Sequence, residues 1–214
     1  MQLNFELMIK SIPYILLGLP YTLGISFVTF ILGNILGILI TALGMVPNKL
    51  VKKLVRIYIS FIRGVPALVI LFILYFGLPY QLSALAATII CFTLTSSAFI
   101  SEIYRGAITG VDNGQWDAAY TLNLGFGTTM IKVVLPQAIR ISIPSLGNVA
   151  MDLLKGTSLA AMITIPDIFQ RAKIVGGRSF DYMSMYILVA LIYWSLCVLI
   201  ELIQKKIERK SDYN

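Results

Sequence analysis

Charged residues are distributed along this chain so that long apolar runs alternate with short polar islands. No Asp, Glu, Lys or Arg occurs from Ser11 to Asn48, a stretch longer than the roughly 20 apolar residues a helix needs to cross a bilayer. It predicts a first span from about Tyr14 to Met45, interrupted by Pro20 and several glycines. The basic cluster Lys49, Lys52, Lys53 and Arg56 follows, then a second span from about Ile57 to Gly77, broken near Arg63-Gly64-Val65-Pro66. A short uncharged turn, Leu78 to Ser83, leads to a third span from about Ala84 to Ile100. A soluble-looking island over about 112–136 separates it from a fourth span, about Ile143 to Ile163, in which Pro144 suits a first helical turn. Pro166 to Asp181 is polar and charged and is expected as a loop, and a fifth span from about Met183 to Ile203 runs into the tail KKIERK.

Composition agrees with a bilayer protein. Mean hydropathy is +0.86; 58% of residues are hydrophobic and 13% charged, against about 25% charged in a soluble domain. The 214 residues suit about five spans with their loops, so 1–214 is read as a single transmembrane domain of all-α architecture. The chain start lacks a basic region and a small-residue cleavage site, so the first span is expected to remain in the mature protein.

Charge sets the orientation. With the C-terminus inside, Lys49 to Arg56, Arg105, Lys132, Arg140 and the tail cations Lys205, Lys206, Arg209 and Lys210 are cytoplasmic, whereas Lys10, Arg171, Lys173 and Arg178 are outside. The N-terminus is then outside, by the positive-inside rule, with the Arg171 to Arg178 segment running against it locally. This bias also accounts for the net charge of +7 without nucleic-acid binding. The chain has no histidine, which removes the commonest general base and zinc ligand. No catalytic or metal-ligating set is expected. Cys91 and Cys197 lie in apolar runs, where a thiol behaves as a small hydrophobe, and no disulfide is expected.

The island carries the most specific pattern. From Gly114 to Pro136 it reads GQWDAAYTLNLGFGTTMIKVVLP, and it resembles the cytoplasmic coupling loop of ABC importer permeases, E-A-A-x3-G-x9-I-x-L-P. Asp117, Ala118, Ala119, Asn123, Val133, Leu135 and Pro136 fall on those positions without a gap, with Asp for Glu, Asn for Gly and Val for Ile. The Gly position joins two short helices and calls for positive φ, which Asn tolerates best after Gly. Phe61-Ile62-Arg63-Gly64-Val65-Pro66 is similar to the F-x-R-G-T-P stretch of the branch that imports polar amino acids. Ala98 to Gly106, Gly114-Gln115, Leu135 to Arg140, Lys155 to Leu159 and Pro166-Asp167 match that branch too, so the resemblance covers most of Ser60 to Trp194.

The resemblance implies the type I importer permease fold, five transmembrane helices with the coupling loop between the third and fourth, in a bacterial-type cell membrane. It also implies a division of labour. A pair of ATPase subunits would bind ATP and Mg, an extracytoplasmic binding protein would deliver the amino acid, and a second permease subunit would complete a dimeric path. The chain has no G-x-x-x-x-G-K-[ST] phosphate cradle, so no cofactor is expected on it. Gly114, Gln115, Asp117, Ala118, Ala119, Asn123 and Gly125 would serve ATPase coupling. The two alanines leave little side chain, so a short helix built on them can enter a partner's groove.

Substrate-path candidates lie in the spans. Asp152 and Lys155 are three apart on one helix face and can pair. Charges at bilayer depth cost about 2.5 to 3.5 kcal/mol each, so an interior-facing position is expected, either on the path or as a structural ion pair. By resemblance, Thr157 and Ser158 lie near the route; their hydroxyls would bond a substrate or their own helix. Gly156 stands where relatives carry a polar or acidic residue, which argues against a cationic cargo. Arg63 sits at the break in the second span, as a polar-site residue or as a cation reaching the headgroups. Glu102 and Arg105 are expected as a structural pair. A gradient-driven carrier or channel is the alternative, and it would need ion-relaying carboxylates, of which Asp152 is the clear deep one. A membrane enzyme would need a catalytic set that this composition does not supply.

Overall fold

The computed structural model describes residues 3–212, so the expected domain of 1–214 reaches past them at both ends. The described residues form α-helices α1 (Phe5–Leu16), α2 (Leu19–Met45), α3 (Lys49–Gly64), α4 (Ala67–Phe76), α5 (Ala84–Thr109), α6 (Asn113–Thr121) and α7 (Phe126–Thr129). A π-helical turn (Met130–Val134) leads into α8 (Leu135–Gly156), and a 3-10 segment (Thr157–Ile163) precedes α9 (Ile168–Ser179) and α10 (Tyr182–Asp212). By length and composition α2, α5 and α10 cross a membrane singly. Two bent pairs bring the spans to five: α3 with α4, and the run from α7 through the 3-10 segment with α9.

The first span departs from expectation. Pro20 does not interrupt it but starts it, in the first turn of α2, where a missing N–H costs nothing. The residues ahead form the separate helix α1, begun by Asn4, whose Oδ1 accepts from the Leu7 amide at 2.9 Å. The turn between the two helices lies so close to Asp167 and Ile168 that a Cβ on Gly18 would collide with their backbone.

At the centre is α5, packed against α2, α3, α4 and α8. Its tightest neighbour is α2, which offers Gly33 and Gly37, spaced as G-x-x-x-G, to Ser96, Ile100 and Ser101. A Cβ on Gly37 would stand 2.7 Å from a methyl of Ile100. Small residues let backbones approach where lipid gives no hydrophobic drive for helix association. Polar bonds then bridge the pair: Thr41 Oγ1 donates to the Ser101 carbonyl at 3.1 Å, and the Tyr104 hydroxyl to Asn34 Oδ1 at 2.8 Å.

The break in the second span occurs where expected and is sharp, with α3 and α4 meeting at 99°. Pro66 has no amide to continue α3, and it holds Val65 extended at φ −102°, ψ 132°. The third span runs on beyond Ile100 to Thr109.

The fourth span begins earlier than Ile143. Pro136, not Pro144, sits in the first turn of α8, and Pro144 lies inside the helix. Continuous helix through the π-turn explains this, since the segment before Ile143 is already wound. The segment Pro166 to Asp181 is likewise not a loop but α9. Its amide end is capped by Asp167, which accepts from the Gln170 amide at 2.8 Å, and Ile168, Ala172 and Gly176 form its buried stripe. Asp167 is itself fully buried and also accepts from the Tyr193 hydroxyl at 3.2 Å. Thr157 and Tyr193 oxygens lie 3.4 Å apart, and Thr22 Oγ1 accepts from the Ile168 amide at 3.4 Å. One polar knot thus ties α2, the 3-10 segment, α9 and α10.

The island between the third and fourth spans folds as α6 and α7 joined by a tight turn. Asn123 takes φ 57°, as its place in the pattern requires. Its amide donates to the Tyr120 carbonyl at 2.8 Å and the Leu124 amide to the Ala119 carbonyl at 3.0 Å, the paired bonds of a Schellman helix end.

Two stability outcomes follow, each read from thermal unfolding of the purified chain in detergent. Gly37→Val forces α2 off Ile100 and lowers stability by about 1–3 kcal/mol; an unchanged midpoint refutes the close packing. Asn123→Val places a β-branched residue in the left-handed region and costs about 1–2 kcal/mol, while Asn123→Gly is tolerated. Equal behaviour of the two variants contradicts the turn.

Candidate functional site

Two surfaces carry functional geometry, and the first is the α6–α7 loop. Asp112 caps α6 by accepting from the Gly114 amide at 2.7 Å. The indole of Trp116 stacks on Phe126 with centroids 6.2 Å apart, bracing α6 against α7. Gln137 on α8 donates to Gln115 Oε1 at 3.2 Å and to the Val133 carbonyl at 2.9 Å. Beneath, Ala107, Val111, Met130, Val134 and Ala138 form a small core with Trp116 against it. The loop is therefore packed onto both α5 and α8.

The outward face of this unit is defined by exposure. Gly114, Gln115, Asp117, Ala118, Asn123 and Gly125 are exposed. Beside them stand Tyr120, Leu122 and Phe126, which are 68%, 73% and 60% exposed. Ala119 differs: it is buried. The two alanines therefore divide the work, Ala118 on the free face and Ala119 closing the helix onto the π-turn. The apolar weight of the face comes from Tyr120, Leu122 and Phe126.

The second surface lies along α8. Asp152 and Lys155 pair at 2.9 Å, as their spacing predicts, but they do not point into the body of the chain. Their side chains are 73% and 56% exposed, because α5 and α10 cover the opposite side of α8. Ser145 and Asn148 are exposed as well. The series 145, 148, 152, 155 follows helical spacing, so a polar stripe about 15 Å long runs down one face of a membrane helix. Ser145 and Asn148 were missed from sequence; the same three-four rhythm would have found them.

The remaining candidates go elsewhere. Thr157 is buried and donates to the Leu154 carbonyl at 2.8 Å, while Ser158 donates to the Lys155 carbonyl at 2.8 Å. Ser158 thus serves its own helix, and Thr157 does so while also facing Tyr193 in the polar knot. Gly156 is half-buried, with open space where a Cβ would stand. Arg63 is on α3, its guanidinium carbon 5.2 Å from the Phe99 ring centroid, and is not on the α8 stripe. Glu102 and Arg105 form a two-bond pair at 2.9 and 2.7 Å.

Comparison with known proteins places the chain in a family. The family described as "Binding-protein-dependent transport system inner membrane component" matches residues 33–213. The chain is 51% identical to the probable amino-acid ABC transporter permease protein YckA of Bacillus subtilis (strain 168), covering 97% of this chain and 93% of that protein. It is 38% identical to the L-cystine transport system permease protein TcyB of the same organism, over 91% of this chain and 85% of that one. Among solved structures, a chain of an amino acid ABC transporter crystallised with histidines superposes with a TM-score of 0.93 at 32% identity, covering 98% of this chain and 100% of its own length. The inward-facing MetNI methionine ABC transporter shares the fold at 19% identity, with a TM-score of 0.79 over 92% of this chain and 96% of that one. This chain belongs to the family of binding-protein-dependent transport system inner membrane components and is a permease subunit of an ATP-binding cassette importer.

Proposed function

We propose that this permease carries a polar amino acid along the α8 face, with a second permease subunit closing the path opposite it. The observation that supports this most is the stripe of Ser145, Asn148, Asp152 and Lys155. Such a surface is costly against lipid and belongs against water or protein. The adjacent Asp152 and Lys155 charges also suit the ammonium and carboxylate of an amino acid. Relatives named for L-cystine and for arginine support a polar amino acid as cargo.

The motor contact is the α6–α7 face. An ATPase subunit receives Asp117, Ala118, Tyr120 and Leu122 in a groove, in the manner of an amphipathic helix docking, and ATP and Mg bind on that partner. An extracytoplasmic binding protein delivers the cargo on the opposite side. The reciprocal movement opens and closes the path through α5 and α8. Family membership sets aside the gradient-driven carrier.

The same reading orients the chain. The C-terminal turns of α2 and α5 and one side of α3 border one cavity, which gathers Lys52, Arg56 and Arg105 beside the ends of α2 and α5. Gln204 on α10 donates to the Pro144 carbonyl at 3.3 Å, which sets the basic tail beyond the same end. That end is the cytoplasmic one. Arg171, on the other side, runs against the rule; its guanidinium lies 5.2 Å from the Tyr14 ring centroid and donates to the Pro166 carbonyl at 3.3 Å.

Two experiments test these statements. In proteoliposomes holding the permease with its ATPase, Asp117→Arg puts a cation into the motor contact and lowers binding-protein-stimulated ATP hydrolysis and uptake by about tenfold or more; normal uptake refutes the contact. For orientation, a background lacking Cys91 and Cys197 receives Asp181→Cys or Lys206→Cys. A membrane-impermeant maleimide labels the first in intact cells and the second only after permeabilisation, and the reverse pattern inverts the topology.

A further inference from the structure

A cavity of about 550 Å³ opens between α2, α3 and α5, and its charge is unbalanced. Lys52, Arg56, Arg63 and Arg105 line it against a single carboxylate, Glu102. Both oxygens of Glu102 are already held by Arg105, at 2.9 and 2.7 Å. Among the described residues no ion pair engages Lys52, Arg56 or Arg63. Three cations therefore share one recess with the hydroxyls of Thr41, Ser60 and Ser101. Like charges gathered without a counterion repel, and an anion entering the recess removes that repulsion.

The chemistry of the lining suggests which anion. Planar guanidinium forks match tetrahedral oxyanions, and lysine adds a mobile point charge. The volume is many times that of one water, about 30 Å³, and accommodates a phosphate with its substituent. Position then selects the source. Helix α3 is two-sided: Leu50, Leu54, Ile57 and Phe61 are all more than half exposed along one stripe, while Lys52, Arg56 and Arg63 occupy the other side of the helix, on the cavity. It also meets α4 at 99°, so the second span is sharply bent, and its α3 half can turn the apolar face toward acyl chains while the cations stay at headgroup level. Leu39 and Leu43 of α2, 55% and 50% exposed, offer further apolar surface close to the cavity-lining Ile40 and Gly44. We propose that the α2–α3–α5 cavity binds the phosphate of an anionic membrane lipid, with Lys52, Arg56 and Arg63 as its cationic ligands. The orientation given above puts this lipid in the cytoplasmic leaflet; binding itself does not depend on that orientation or on the transport reading.

Native mass spectrometry of the full chain, released from micelles holding equal phosphatidylglycerol and phosphatidylcholine, tests this. The chain is expected to retain phosphatidylglycerol about a hundredfold over phosphatidylcholine, since each of the three basic side chains near an anionic headgroup is worth a factor of about five. Lys52→Gln combined with Arg56→Gln removes most of the preference, and Arg56→Lys, which keeps the charge, preserves most of it. Lys205→Gln combined with Lys206→Gln alters equally basic residues on α10 and leaves the preference intact. Thermal unfolding of each variant confirms that it is folded. Equal retention of the two lipids, indifference to the Lys52 and Arg56 changes, or an equal loss in the α10 variant overturns the proposal. So does displacement of the lipid by millimolar inorganic phosphate, which assigns the cavity to a soluble anion.

Discussion

A polar group inside a bilayer has no water to fall back on, and this constraint sorts the polar residues of the chain. Most hydroxyls in its spans are spent on their own helices. Ser26 donates to the Thr22 carbonyl at 2.7 Å, Thr29 to Ile25 at 2.7 Å and Ser96 to Phe92 at 2.6 Å. Those bonds let α2 and α5 carry hydroxyls at depth without a partner from outside. Asp167 is held by a backbone amide and by Tyr193 where four segments meet. The stripe on α8 stands apart, because Asp152 and Lys155 neutralise each other yet remain largely exposed. Polar groups that the chain neither buries nor turns back on itself mark a surface made to face something other than lipid.

Packing between the spans and the α6–α7 loop depends on the same economy of small residues and local bonds. Gly33 and Gly37 bring α2 against α5 closely enough for Thr41 to reach the Ser101 carbonyl. Helix α5 leads through Gly110 to α6, and α6 is tied to the start of α8 by Gln115 and Gln137. The intervening π-turn, Met130–Val134, buries Met130 and Val134, and such turns occur mostly as single insertions at functional sites. Static contacts thus connect α6 through the π-turn to α8, the helix that bears the polar stripe.

The sequence disclosed chemistry more readily than it disclosed boundaries, and the reasons are physical. The coupling pattern was readable because backbone geometry fixes it: Asn123 needs positive φ, and few residues supply it. The second span's break was readable because Pro66 removes an amide. Helix α9 was hidden by Arg171, Lys173, Arg178 and a glycine pair, although Asp167 was in place to cap it. What justifies the helix is the packing of its Ile168, Ala172 and Gly176 stripe, including the Tyr182 ring against Gly176, which no local pattern announces. Pro144 misled because proline marks helix starts only on average, and here Pro136 already holds that place. The role of Tyr193 was invisible, since its partner Asp167 is 26 residues away and meets it only in the fold.

Helix α3 joins these themes. Its break from α4 bends the second span by 99°, and its amphipathic sequence gives this half one apolar and one basic side. Lys52, Arg56 and Arg105, counted among the cations of the positive-inside rule, also line a recess by position. Lys52 and Arg56 thus bear on two separate questions, topology during insertion and contact with lipid afterwards. The first depends on how many cations lie at one end of the spans, whereas the second depends on their sharing one side of α3. A helix with the same charges scattered around its axis would orient the chain equally well and would leave no cavity of concentrated positive charge beside α5.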